Sequence, residues 1–129
     1  MTSNTALIEA LYRAGQPWNV SVIAQACAAA AAEETDFARQ TALRIAAERQ
    51  RLRQELSARG MAVCAGEANF LLFRAQDTAL DRKLAARGVL IRSCANYRGL
   101  SAGWYRTAVK TGADSRRLLQ AIDEIREDG

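Results

Sequence analysis

Apolar residues in the first half of the chain recur at helical spacing. In the second half they gather into short runs separated by turn residues. Leu7, Leu11 and Ala14 fall on one side of a short helix over 5–14, with Gly15 as its stop. Pro17, the single proline, marks a break. Asn19 or Ser21 is placed to cap a second helix over 20–32. Its alanines allow close approach, so this helix is expected to be buried. A long helix follows over 35–58, with Phe37, Thr41, Ile45, Leu52 and Leu56 forming one apolar stripe. Gly60 ends it.

After Gly60 the period changes. Residues 61–64 and 69–74 (Asn-Phe-Leu-Leu-Phe-Arg) read as two strands around Ala65-Gly66-Glu67. Asp77 caps a helix through Leu80 and Leu84, closed by Gly88. Residues 89–93 form a third strand and 104–110 a fourth, joined by the turn-rich segment 94–103. The last helix spans 114–126 and turns Leu118, Leu119, Ile122 and Ile125 inward. The order is N-terminal helices followed by β-β-α-β-β-α. The expected fold class is α+β, a layer sandwich on a small, mostly antiparallel sheet.

Composition narrows the chemistry. A chain of 129 residues, half of them apolar, is expected to be one domain with a real core. No apolar run reaches the ~18 residues of a membrane span. The N-terminus has no basic-then-apolar leader, so a cytoplasmic location is expected. There is no histidine, which removes Ser-His-Asp and Cys-His catalysis within this chain. Cys27, Cys64 and Cys94 are far apart and odd in number, so neither a metal site nor a disulfide framework is expected. The net charge is +4, and all basic residues other than Lys83 and Lys110 are arginines. The run Glu48-Arg-Gln-Arg-Leu-Arg-Gln-Glu55 resembles a nucleic-acid patch. Its interspersed carboxylates favour a solvated helix face, and a nucleic-acid partner is not expected.

Two arginines stand apart from this surface. Arg92 lies within Leu-Ile-Arg-Ser and Arg106 within Tyr-Arg-Thr-Ala-Val, both strand-like runs. A charged group in such a setting needs an anionic partner. A protein carboxylate or a ligand carboxylate or phosphate would each suit the planar guanidinium fork. Asn96 and Tyr97 belong to the intervening loop and either line the same site or serve the turn.

Several segments in order carry a family resemblance. They are Pro17-Trp18-Asn-Val-Ser, Glu48-Arg49-Gln-Arg-Leu52, Ala68-Asn69-Phe70-Leu-Leu-Phe, Leu90-Ile91-Arg92-Ser-Cys-Ala-Asn96-Tyr97, Gly99-Leu100 and Tyr105-Arg106-Thr-Ala-Val. Together they resemble the C-terminal region of fold-type I pyridoxal-phosphate enzymes, most of all the group of L-threonine O-3-phosphate decarboxylases and histidinol-phosphate aminotransferases. The resemblance implies a substrate-clamping small domain over 1–129, with 1–33 as connecting helices. It implies that Arg106 holds a substrate carboxylate and Arg92 a substrate phosphate. The substrate would be an amino acid phosphate, and the whole enzyme a decarboxylase of cobalamin biosynthesis or, alternatively, an aminotransferase. Orientation matters because decarboxylation needs the Cα–carboxylate bond perpendicular to the cofactor ring.

The family also needs a lysine bonded to pyridoxal phosphate, and neither Lys83 nor Lys110 stands in that motif. The expectation is therefore a chain with substrate-binding arginines but no catalytic or cofactor-binding residue, inactive alone. It is expected to associate with a second copy or with a missing large domain. A basic module for nucleic acid or an acidic partner is the alternative of another class.

Overall fold

The computed structural model describes residues 3–16 and 20–128, in two compact units that meet in sequence at Ala38 and Arg39. The first unit holds α1 (Thr5–Ala14) and α2 (Val22–Glu33). Asn4 Oδ1 accepts from the Leu7 amide at 3.1 Å, and Ser21 Oγ from the Ala24 amide at 3.1 Å, so each helix start has a side-chain cap. Asn19, the other capping candidate, and Trp18 lie outside the described residues.

The expected burial of the second helix is not found: every residue of α2 is exposed. The physical reason lies in its composition. Val22 and Ile23 sit in the first turn, and the rest is almost all alanine, so no stripe of large side chains gives the helix a face to bury.

The second unit begins within α3 (Thr35–Ala58) and adds β1 (Ala62–Val63), β2 (Phe70–Arg74), α4 (Leu80–Ala86), β3 (Arg92–Ser93), β4 (Trp104–Ala108) and α5 (Gly112–Glu127). The sheet is antiparallel throughout, in the order β1-β2-β4-β3. The fold is α+β, as the order of apolar runs implies. The outer strands are shorter than their sequence runs. Leu90, expected in the third strand, is 84% exposed at the sheet edge.

Alternation along the two central strands divides the sheet into faces. Leu71, Phe73, Tyr105, Thr107 and Val109 are buried on one face. There they meet Leu52 and Leu56 of α3, Leu80 and Leu84 of α4, and Leu118, Leu119, Ile122 and Ile125 of α5. The α3 stripe holds only in part. Leu52 and Leu56 are fully buried and Ile45 packs on the core, whereas Phe37, beyond the unit's edge, is 69% exposed.

The helices of this unit carry ion pairs, some within a helix and some between helices. Arg59 donates to both carboxylate oxygens of Asp123 at 2.7 and 2.8 Å and to Glu55 at 2.6 Å, tying the C-terminus of α3 to α5. Arg51 pairs with Glu48 at 2.6 Å, and Arg87 pairs with Asp128. Arg49 donates to the carbonyls of Glu67 and Ala68 at 2.8 and 3.2 Å, holding the β1–β2 loop against α3. Thus part of the charged face expected to be simply solvated is engaged in the fold. The start of α5 carries a capping box, Thr111 with Asp114, two residues ahead of the start read from the sequence.

Candidate functional site

The second face of the sheet carries Phe70, Leu72 and Arg74 of β2, Trp104, Arg106 and Ala108 of β4, and Arg92 of β3. Register sets their neighbours. Arg106 lies directly across from Arg92 on one side and from Leu72 on the other. Residues directly opposite in an antiparallel pair share a face, with Cβ atoms about 5 Å apart. The two arginines singled out from the sequence are therefore adjacent on one face.

Their surroundings differ from the simplest sequence expectation. Neither is buried in the core: Arg92 is exposed and Arg106 half-buried. Their neighbours are aromatic. The Arg106 guanidinium carbon lies 4.9 Å from the Phe70 ring centroid, and that of Arg92 lies 5.5 Å from the Tyr97 centroid. Among the described residues neither arginine has an ion pair with a carboxylate. Stacking of this kind contributes about 0.5–1 kcal/mol at exposed sites and leaves the N–H edges of the fork unoccupied. Like charges directly opposite each other on a sheet are destabilising. The strands β1 to β4 contain no Asp or Glu to relieve that repulsion. An anion with two or more oxygens would do so.

The loop after β3 positions Tyr97. The amide of Tyr97 donates to Cys94 and that of Leu100 to Tyr97, both at 3.0 Å, with Gly99 at φ +86° turning the chain back. Gly103, at φ +90°, closes the loop. A Cβ there would come within 2.8 Å of the Ala75 carbonyl oxygen, so only glycine fits. The Ala75 amide in turn donates to the Gly103 carbonyl at 2.9 Å. Cys94 is fully buried at the loop's start, and all three cysteines are free thiols. Asn96 is exposed and makes no side-chain hydrogen bond among the described residues, whereas Tyr97 takes part through its ring. Phe70 was not singled out from its sequence. Its alternation with Leu72 places it on this face, but only the β2–β4 register puts it beside Arg106.

Beneath the site, the Tyr105 hydroxyl donates to the Asp77 carbonyl at 3.0 Å. Burial pushes this phenol's pKa up. The Asp77 carboxylate accepts from the Ala79 amide at 2.8 Å and pairs with Lys83 at 2.8 Å, which holds its pKa below the usual range. Asp77 thus organises the approach to α4 from two residues before the cap position.

Lys83 is committed to Asp77 on α4, and Lys110 stands exposed between β4 and the α5 cap. Among the described residues, no cluster of His, Cys, Asp or Glu could hold a metal ion, and no helix is long and apolar enough to cross a membrane.

Residues 1–125 match the family model for aminotransferase class I and II. The threonine-phosphate decarboxylase of Salmonella typhimurium is 33% identical over 128 residues, covering 97% of this chain and 35% of that protein. The histidinol-phosphate aminotransferase of Lactiplantibacillus plantarum is 34% identical over 111 residues, covering 85% and 30%. Among solved structures, the histidinol-phosphate aminotransferase from Clostridium acetobutylicum superposes with a TM-score of 0.88 at 26% identity, covering 99% of this chain and 40% of that one. The chain spans about a third of the length of the curated relatives it matches.

Proposed function

The chain belongs to the aminotransferase class I and II family of pyridoxal-phosphate-dependent enzymes, and from that premise we propose that its second unit is the substrate-clamping small domain of an enzyme acting on a phosphorylated amino acid. The observation that carries the reading is the direct pairing of Arg92 with Arg106 across β3 and β4, on a strand face that contains no acid. In this reading Arg106, on central strand β4, holds the carboxylate. Arg92, on edge strand β3, holds the phosphate. The stacked rings restrict each guanidinium, so less freedom is lost on binding. Seating the carboxylate on a paired strand fixes the direction of its bond to Cα, which decides whether that bond is the one broken. The preferred substrate is L-threonine O-3-phosphate and the preferred reaction its decarboxylation, supported by the Salmonella relative. A role in cobalamin biosynthesis and a cytoplasmic location are part of the same proposal and rest on the family resemblance of the sequence alone.

A second reading, amino transfer to or from histidinol phosphate, is favoured by the other relative and by the superposed structure. Histidinol phosphate has no carboxylate, so the two readings separate on Arg106. Isothermal titration calorimetry on the 129-residue chain would compare O-phospho-L-threonine with histidinol phosphate. The expectation is tighter binding of the former, with Arg106→Gln removing the difference and Arg92→Gln weakening both. Undetectable binding of either ligand at millimolar concentration, or two variants that bind like the parent, would overturn the clamp.

With both lysines outside any fitting site, the chain is expected to be inactive alone. Adding pyridoxal phosphate should give no stoichiometric absorbance band. Such a band, lost on changing Lys83 or Lys110, would refute this. Association with a second copy or with a large domain is supported by apolar side chains left exposed in the first unit, among them Leu11, Tyr12, Val22 and Ile23. Sedimentation at high concentration should show dimers or larger species; a strict monomer counts against a homo-oligomer.

A further inference from the structure

Resting on the clamp reading, we infer that Arg74 is a third guanidinium of the same anion-binding face and that it selects a dianionic phosphate over a monoanion. Arg74 closes β2 and lies directly across from Trp104 of β4 and from Ala62 of β1. It is two positions along β2 from Leu72, the residue opposite Arg106. That places Arg74 on the diagonal from Arg106, about 7–8 Å away and on the same face. Its side chain is exposed, and among the described residues it has no ion pair.

Both residues that flank Arg74 across the strands are uncharged. The nearest acid along the chain, Asp77, is held by Lys83 and the Ala79 amide. Three arginines therefore share one strand face with no carboxylate among them. In the clamp reading Arg106 takes the carboxylate and Arg92 the phosphate through direct hydrogen bonds. Arg74, one diagonal step from Arg106 and across β4 from Arg92, acts on the ligand through its charge rather than by direct contact with the phosphate, and that interaction grows with each charge on the ligand. Phosphate monoesters gain their second negative charge near pH 6. Arg74 thus strengthens binding of the dianion more than that of the monoanion.

Titrating O-phospho-L-threonine into the 129-residue chain at pH 5.5 and pH 7.5 tests this, with Arg74→Gln and Arg74→Lys beside the parent and melting curves to confirm folding. The parent should bind more tightly at pH 7.5. Arg74→Gln should lose about three- to fivefold in affinity at pH 7.5 and clearly less at pH 5.5, so that the rise between them shrinks. Arg74→Lys should keep the rise, since it keeps the charge. An Arg74→Gln variant with the parent's affinities, in a protein where Arg92→Gln still weakens binding, overturns the role of Arg74 and leaves the clamp standing. Equal losses at both pH values, or a rise lost in Arg74→Lys as well, overturn the selection. If the parent itself does not bind, the clamp and this inference fall together.

Discussion

Three arginines of the helical layer and the three on the sheet have partners of different kinds. Arg51 meets one carboxylate, and Arg59 and Arg87 meet two each. Arg74, Arg92 and Arg106 lie on the strands and meet no acid among the described residues, and two of them rest on aromatic rings. The difference teaches how to read a cation in a small domain. Where Arg59 and Arg87 tie elements together, the fold supplies the counter-charge. Where a guanidinium stands on an open face beside another like charge, the counter-charge is left to come from outside.

The largest effect that would sharpen this contrast is on binding. Arg92→Gln or Arg106→Gln should weaken O-phospho-L-threonine by about ten- to a hundredfold, the worth of a charge-assisted hydrogen-bonding group. The melting temperature should not fall and can rise as the like-charge pair is relieved. A large loss of stability instead would make these arginines structural and end the contrast.

Next in size is Gly103→Ala, in the turn that leads into β4. A positive φ and a 2.8 Å approach to the Ala75 carbonyl oxygen should cost about 2–3 kcal/mol in a denaturant titration and weaken ligand binding as the loop shifts. A variant with unchanged stability would show that the loop yields freely.

Arg59→Gln should cost about 1–2 kcal/mol, since it breaks a partly buried, bidentate pair between α3 and α5. Its ligand affinity should match the parent's. An effect on binding as large as that of Arg92→Gln would erase the division between the layers.

The smallest effect is on pH dependence. Glu48, Asp77, Asp114 and Asp123 all have folded-state pKa values lowered by hydrogen bonds and nearby cations. A lowered pKa means that the stabilisation is present above the unfolded value, near 4, and is lost as pH falls through the folded values. Melting temperature should be level from pH 7 to about 5 and decline below 4. The decline should be shallower in Arg59→Gln, in which Asp123 has lost its partner. A decline that begins near pH 6 would point to a different group.

Much of the architecture was legible in the residues because apolar spacing reports directly on secondary structure. The short apolar run Phe-Leu-Leu-Phe marked β2, and Leu118, Leu119, Ile122 and Ile125 marked the inner side of α5. The alanine-rich α2 misled for a physical reason: small apolar side chains permit burial without requiring it. The candidate site was legible as two cations in apolar runs, but not as a pair. Phe70 and Arg74 joined it only through register, and Tyr97 through the turn at Gly99.

The order of elements, the absence of histidine, and two arginines in strand-like runs are properties of the chain itself, because they depend on residue type and short-range spacing. Which face those arginines share, that Arg106 lies opposite Arg92, and that no carboxylate accompanies them were decided by strand pairing. Pairing joins residues far apart in sequence, and a slip of one position would have sent each side chain to the other side of the sheet.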